Sequence, residues 1–167
     1  HGAQEKTTQT HTLNIIEDDT NPNQRISYIS RENSTSGRQL WLMKSDGSNA
    51  EKISNFGGNT RINEMSTSLA HDLTKVVFYN WSGSWRVGIM DIDGSNSQWL
   101  ATSGTNKYPA IDPGGKKVIY CNYSGGFKLK LIDLTDSTVT DVHPTGVSDA
   151  RYPNWSPDGT KIAFSSD

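Results

Sequence analysis

A chain of 167 residues with 32% hydrophobic residues and a formal net charge of −2 can build one domain with its own core, or several copies of a small repeat that share one. The near balance of charge leaves no basic excess to hold nucleic acid, and no apolar run approaches the roughly 18 residues that a membrane-spanning helix needs. Cys121 is the only cysteine, so this chain alone forms neither an intramolecular disulfide nor a thiolate zinc site.

Residues 1–10, H-G-A-Q-E-K-T-T-Q-T, read as a polar tail without the apolar core of a signal peptide. Residues 11–60 read as a first unit. Its strands fall near His11 to Ile16, from Arg25 to Ser30 and from Gln39 to Lys44, and Asp46-Gly47 makes the following turn. Residues 61–106 form a second unit, with a strand through V-V-F-Y, the tip N-W-S-G-S-W-R, and a second turn at Asp93-Gly94. In the third unit, residues 107–150, the lead Y-P-A-I and the turn P-G-G precede V-I-Y-C-N-Y; the hairpin S-G-G leads into F-K-L-K-L-I-D-L, and T-D-S into T-V-T-D-V. Residues 151–167 repeat only the first half of that layout. β-Branched and aromatic runs between Gly, Asn, Asp and Ser, with nothing at helical period, predict strands joined by tight hairpins throughout.

The units are copies of one another. Y-P-A-I-D-P-G-G-K-K-V-I-Y from Tyr108 and Y-P-N-W-S-P-D-G-T-K-I-A-F from Tyr152 share Tyr, Pro, Pro, Gly and Lys at a constant spacing of 44 residues. L-M-K-S-D-G-S-N at Leu42 and I-M-D-I-D-G-S-N at Ile89 match at a spacing of 47, and N-W-S-G-S-W-R at Asn80 matches N-Y-S-G-G-F-K at Asn122 at 42. Four-stranded units repeating at this period predict an all-β fold: a β-propeller arc of four-stranded antiparallel blades, about three and a half of them, in an incomplete ring. A β-sandwich of similar hairpins would not need the repetition. Ile162, Phe164, Val118, Tyr120, Val76 and Phe78 are expected at equivalent second-strand positions, with Ile162, Val118 and Val76 on one face and their partners on the other.

The run Y-P-N-W-S-P-D-G-T-K-I-A-F-S-S-D closely resembles the WD40-like PD40 repeat of the TolB family, periplasmic β-propeller proteins of bacteria, and both D-G-S-N hairpins are typical of it. The resemblance covers most of the chain from about Arg25 and implies a periplasmic or extracellular setting. This sequence departs from the pattern twice. Unit two carries A-H-D-L in place of S-P-D-G, which weakens its turn, and units two and three carry aromatic tips where the family usually has a charged one.

Alternating strands put the second hairpin of each blade and the links between blades on one rim. That rim is expected to gather Trp81, Trp85, Tyr123 and Phe127 with Arg61, His143 and Arg151. The rings brace their own hairpins in one reading, and in another they form a platform for a sugar or a pocket for a peptide. The two are compatible, because a pair can brace the loop it displays. D-I-D-G-S-N invites a calcium reading, but the equivalent unit has Lys44 where Asp91 stands and no glutamate closes the loop. The four histidines have no metal or catalytic spacing, and no G-x-S-x-G or phosphate loop is present. No catalytic residue, cofactor or metal ligand is therefore assigned. Cys121, within V-I-Y-C, reads as a small buried hydrophobe. The expected function is a non-catalytic TolB-like propeller module, or a fragment of one, that binds a protein or an envelope polymer such as a carbohydrate, with a second copy closing its exposed blade edges. The alternative is the propeller domain of a larger enzyme, such as a prolyl-oligopeptidase-like hydrolase or a polysaccharide lyase.

Overall fold

The computed structural model describes residues 25–30, 38–54, 67–81 and 83–167. Their strands are β1 (Arg25–Ser30), β2 (Gln39–Lys44), β3 (Glu51–Lys52), β4 (Thr67–Leu69), β5 (Lys75–Trp81), β6 (Trp85–Asp91), β7 (Gln98–Ala101), β8 (Thr105–Ile111), β9 (Lys117–Tyr123), β10 (Phe127–Asp133), β11 (Val139–Asp141), β12 (Ala150–Trp155) and β13 (Ile162–Ser166). They form four antiparallel sheets in chain order: β1-β2-β3, β4-β5-β6-β7, β8-β9-β10-β11 and β12-β13. No helix occurs among the described residues, and none is therefore long and apolar enough to cross a membrane. The strand expected near residues 11–16 lies outside the described residues.

Turn chemistry sets these boundaries locally. Gly47 N–H donates to Lys44 O and Gly94 N–H to Asp91 O, both at 2.9 Å, while Asp46 and Asp93 each accept from the backbone N–H two residues on at 2.8 Å. Such Asx turns let one short side chain stand in for a backbone acceptor. At the other turn, Gly115 and Gly159 close onto Asp112 and Ser156, with φ of 66° and 69°. The A-H-D-L departure keeps this geometry. Leu73 N–H donates to Ala70 O at 2.9 Å and Leu73 itself takes φ 57°, where its repeats have glycine. Its side chain packs on the neighbouring core, and that burial offsets the left-handed backbone.

The turn carboxylates make acid sensitivity a prediction. Asp158 accepts from Ser156 Oγ, Thr160 N and Thr160 Oγ1, which holds it at about 2. Asp46, Asp93 and Asp133 are lowered through Ser48, Ser95 and Thr135 in the same way. A carboxylate lowered on folding stabilises the fold above its unfolded value and loses that contribution as pH falls through the folded one. The thermal midpoint is therefore expected to fall as pH drops from 3.8 towards about 2, and a flat midpoint across that window would contradict the assignment.

The core lies between sheets. Leu40, Leu42 and Ile53 of the first sheet meet Leu69, Val76, Phe78 and Met90 of the second. A larger cluster joins Val77, Tyr79 and Val87 to the third sheet, and Trp155, Ile162 and Phe164 of the fourth sheet pack on it. Central strands such as V-V-F-Y and V-I-Y-C bury both faces, so their sequences are continuous apolar runs without polar alternation. This corrects the expected facing of the second-strand residues. Val76 and Phe78 enter the same cluster, as residues two apart on a strand must, and the opposite face carries Val77 and Tyr79. The exposed positions of the fourth sheet are Tyr152, Asn154, Ala163, Ser165 and Ser166.

Candidate functional site: an aromatic rim

Hairpins β5–β6 and β9–β10 end in matched ring pairs. Trp81 stands across from Trp85, with ring centroids 5.4 Å apart and planes at 68°; Tyr123 and Phe127 stand 5.3 Å apart at 70°. In each pair the outer ring faces solvent and the inner one is tucked below. Trp81 is 37% exposed and Tyr123 54%, whereas Phe127 is 8% exposed and Trp85 packs against the core.

Sequence reasoning missed the residues that join these pairs. Tyr79 lies 5.5 Å from both Trp85 and Tyr108, and Tyr108 lies 5.8 Å from Phe127 and 4.3 Å from Tyr152. The rings thus form one continuous ladder across three sheets. Tyr108 and Tyr152 are repeat equivalents, and both sit in bulges of strand pairing, between Lys107 and Ala110 and between Arg151 and Asn154. Both adopt left-handed backbone, with φ of 54° and 52°, which is unusual for a bulky residue and re-aims its side chain out of the strand's alternation. The same position has opposite exposure in the two copies. Tyr108 is 9% exposed, beneath Tyr152, which is 59% exposed.

The residue before each tyrosine is a cation laid over the inner ring of the preceding sheet. Lys107 Nζ lies 4.4 Å from the Trp85 ring centre and Arg151 Cζ lies 5.0 Å from that of Phe127. The second and third sheets, and the third and fourth, are clasped by the same cation-π contact. Arg151 also forms a two-pronged bond to Asp149, at 3.0 and 2.8 Å, which raises the guanidinium and lowers the carboxyl. His143 is placed below the tip. Leu129 N–H donates to its Nδ1 at 3.4 Å, so Nε2 carries the hydrogen given to Val147 O at 2.7 Å. Lys128 Nζ, beside it, donates to the carbonyls of Val147 and Ser148. This link passes so close to the hairpin that a Cβ on Gly126 would lie 2.5 Å from Ser148 O. Arg61 lies outside the described residues.

Trp81, Trp85, Tyr123, Phe127 and Arg151 therefore come together, whereas His143 serves to fasten the link between sheets. Elsewhere, Asp91 is engaged by Lys75 Nζ at 2.8 Å and Asn96 Nδ2 at 2.6 Å, and these two bonds lower its carboxyl. Cys121 donates to Ala150 O, and burial pushes its thiol up to about 12, which leaves no nucleophilic thiolate at neutral pH. A cleft of about 520 Å³ between the outer strands of the second and third sheets is lined by residues including Lys75, Trp99, Ile132 and Val139 and lies apart from the ladder.

No protein-family profile matches the chain. The Tol-Pal system protein TolB of Xylella fastidiosa (strain Temecula1 / ATCC 700964) is 28% identical over 95 residues, covering 55% of this chain and 22% of that protein. TolB from Acinetobacter baumannii superposes with a TM-score of 0.68 at 21% identity, over 84% of this chain and 34% of that one. For a putative TolB from Agrobacterium tumefaciens the TM-score is 0.71 at 16% identity, over 86% and 50%. Enzymes share the fold: an oligogalacturonate lyase in complex with manganese (TM-score 0.61, 14% identity, 85% and 42% covered) and a prolyl endopeptidase (0.62, 16%, 93% and 26%). The chain spans 22% of the curated relative and no more than half of either TolB structure. Four antiparallel sheets in sequence order, superposable on TolB, give this chain a β-propeller arc similar in fold to part of TolB.

Proposed function

We propose that the chain is a non-catalytic binding module of the bacterial cell envelope, and that its contact surface for a partner protein is the aromatic rim. The observation that carries this reading is the stacking of exposed Trp81 and Tyr123 over half-buried Trp85 and buried Phe127. Rings held from below lose little entropy on binding, and Trp and Tyr are the residues most enriched at the energetic centres of interfaces. The likeness to TolB supports a protein partner and an envelope setting.

Replacing Trp81 and Tyr123 with Ala should weaken partner binding by more than about 1 kcal/mol each, with stability changing by less than that. Capture from a periplasmic extract by the chain and by its Trp81→Ala/Tyr123→Ala variant tests the reading. A protein retained by the first and lost by the second is expected; identical capture by both would contradict it. The enzyme folds among the similar structures favour one other reading, a propeller domain beside a catalytic one, for which a G-x-S-x-G segment in the same polypeptide would be the sign.

A further inference from the structure

The hairpin that carries Trp81 and Trp85 has a second face. Asn80 and Arg86 stand opposite each other across β5 and β6, on the side that carries Phe78 and Gly88 and faces the first sheet, away from the rim rings. Asn80 is fully buried, and neither its Nδ2 nor its Oδ1 has a hydrogen-bond partner. A buried amide left open at both ends weakens the fold and calls for a reason. Arg86, half-buried, makes one long side-chain bond, Nε to Ser84 Oγ at 3.3 Å, and forms no ion pair among the described residues. Its Cζ lies 5.9 Å from the ring centre of Trp99, which is 38% exposed. The repeat supplies the comparison, because Asn122 and Lys128 are the equivalents 42 residues on. There Asn122 Nδ2 donates to Asn106 Oδ1 at 2.7 Å, and Lys128 Nζ donates to Val147 O and Ser148 O. The third sheet closes both positions from within, and the second leaves both open.

We infer that Asn80, Arg86 and Trp99 form a site for an acidic peptide segment, with Arg86 on a carboxylate and Asn80 on a neighbouring peptide group. The open groups dictate the class. A guanidinium is a planar fork of donors that matches a carboxylate. Asn80 needs an acceptor for Nδ2 and a donor for Oδ1 at once, and a peptide group offers both in its C=O and N–H. Acetate brings no donor for Oδ1, and a neutral sugar brings no charge to Arg86. Burial of Asn80 between the sheets suits a slender extended backbone better than a pyranose ring. The single 3.3 Å bond leaves Arg86 free to turn with the ligand and open the way to Asn80, its cross-strand neighbour.

The test is a calorimetric titration of the folded chain with a terminally blocked peptide of alternating Glu and Ala, followed also by the Asn80 side-chain amide signals in NMR. The Gln-Ala counterpart, acetate and an oligogalacturonate are the comparisons. Saturable binding of the Glu peptide is expected, with both Asn80 amide protons shifted. The Gln peptide should bind at least about tenfold more weakly, and Arg86→Gln should cost a similar factor, because each removes a charge-assisted pair. Asn80→Leu should weaken binding at least about fivefold and yet raise the thermal midpoint, since it removes the open amide, whereas Asn122→Leu breaks a closed pair and should lower it. Absence of saturable binding of the Glu peptide, or binding that survives both Arg86→Gln and Asn80→Leu, overturns the inference. So does a fall in midpoint for Asn80→Leu as large as that for Asn122→Leu, which would show the amide already satisfied. Tighter binding of the oligogalacturonate, or equal binding of acetate, through the same two residues overturns the peptide class.

Discussion

Phe78→Ala is expected to lower the unfolding free energy by about 3–5 kcal/mol. Phe78 is fully buried between the first and second sheets, against the cluster of Leu40, Leu42, Val76 and Met90, and its ring meets Trp99 edge-on at 5.8 Å. The space it fills is shaped on the other side by Gly88, where a Cβ would lie 2.7 Å from Phe78 Cζ and 3.1 Å from Trp99 Cε3. Gly88→Ala should therefore also destabilise, by overpacking, at about 1–3 kcal/mol. Combining it with Phe78→Leu should restore part of that loss, since the smaller residue vacates the volume the new methyl needs. Denaturant titration of the four proteins gives the coupling, and strict additivity would show that the two residues do not share this space.

Tyr108→Ala and Tyr152→Ala should differ by about 2 kcal/mol, although the two residues occupy the same place in the repeat and share the same backbone conformation. Tyr108 touches Tyr79, Phe127 and Tyr152, and so ties the second, third and fourth sheets together. Its loss should cost about 3 kcal/mol, whereas Tyr152, largely in solvent, should cost about 1 kcal/mol. Equal losses would mean that local strand geometry, common to both, outweighs packing between sheets. Glycine in place of either tyrosine should be tolerated better than alanine, because it accepts the left-handed backbone without strain.

The parts of this structure that could be read from the sequence are those fixed by local chemistry. Asp46-Gly47, Asp93-Gly94 and Pro157 to Gly159 form turns because their acceptors and backbone freedom lie within four residues. The pairing of Trp81 with Trp85 follows from a hairpin whose register its short tip dictates. The shared facing of Val76 and Phe78 follows from the two-residue period of a strand. The Arg151–Asp149 fork could have been found from D-A-R, because residues two apart on an extended chain share a side. Tyr108 is different. Its place at the centre of the ladder depends on a bulge and on rings from three sheets, none of which is close to it in sequence. The only trace was the repeated Lys/Arg-Tyr-Pro, visible at Lys107 and Arg151 once the copies are laid together.

An alanine scan of the six paired rings, read as unfolding free energy, tests the central claim most directly. If inner rings hold the sheets together and outer rings are kept for contact, Trp85, Phe127 and Tyr108 should each cost more than about 2 kcal/mol and Trp81, Tyr123 and Tyr152 about 1 kcal/mol or less. Losses for the outer three that match those of the inner three would assign all six to packing and contradict a contact surface at this rim.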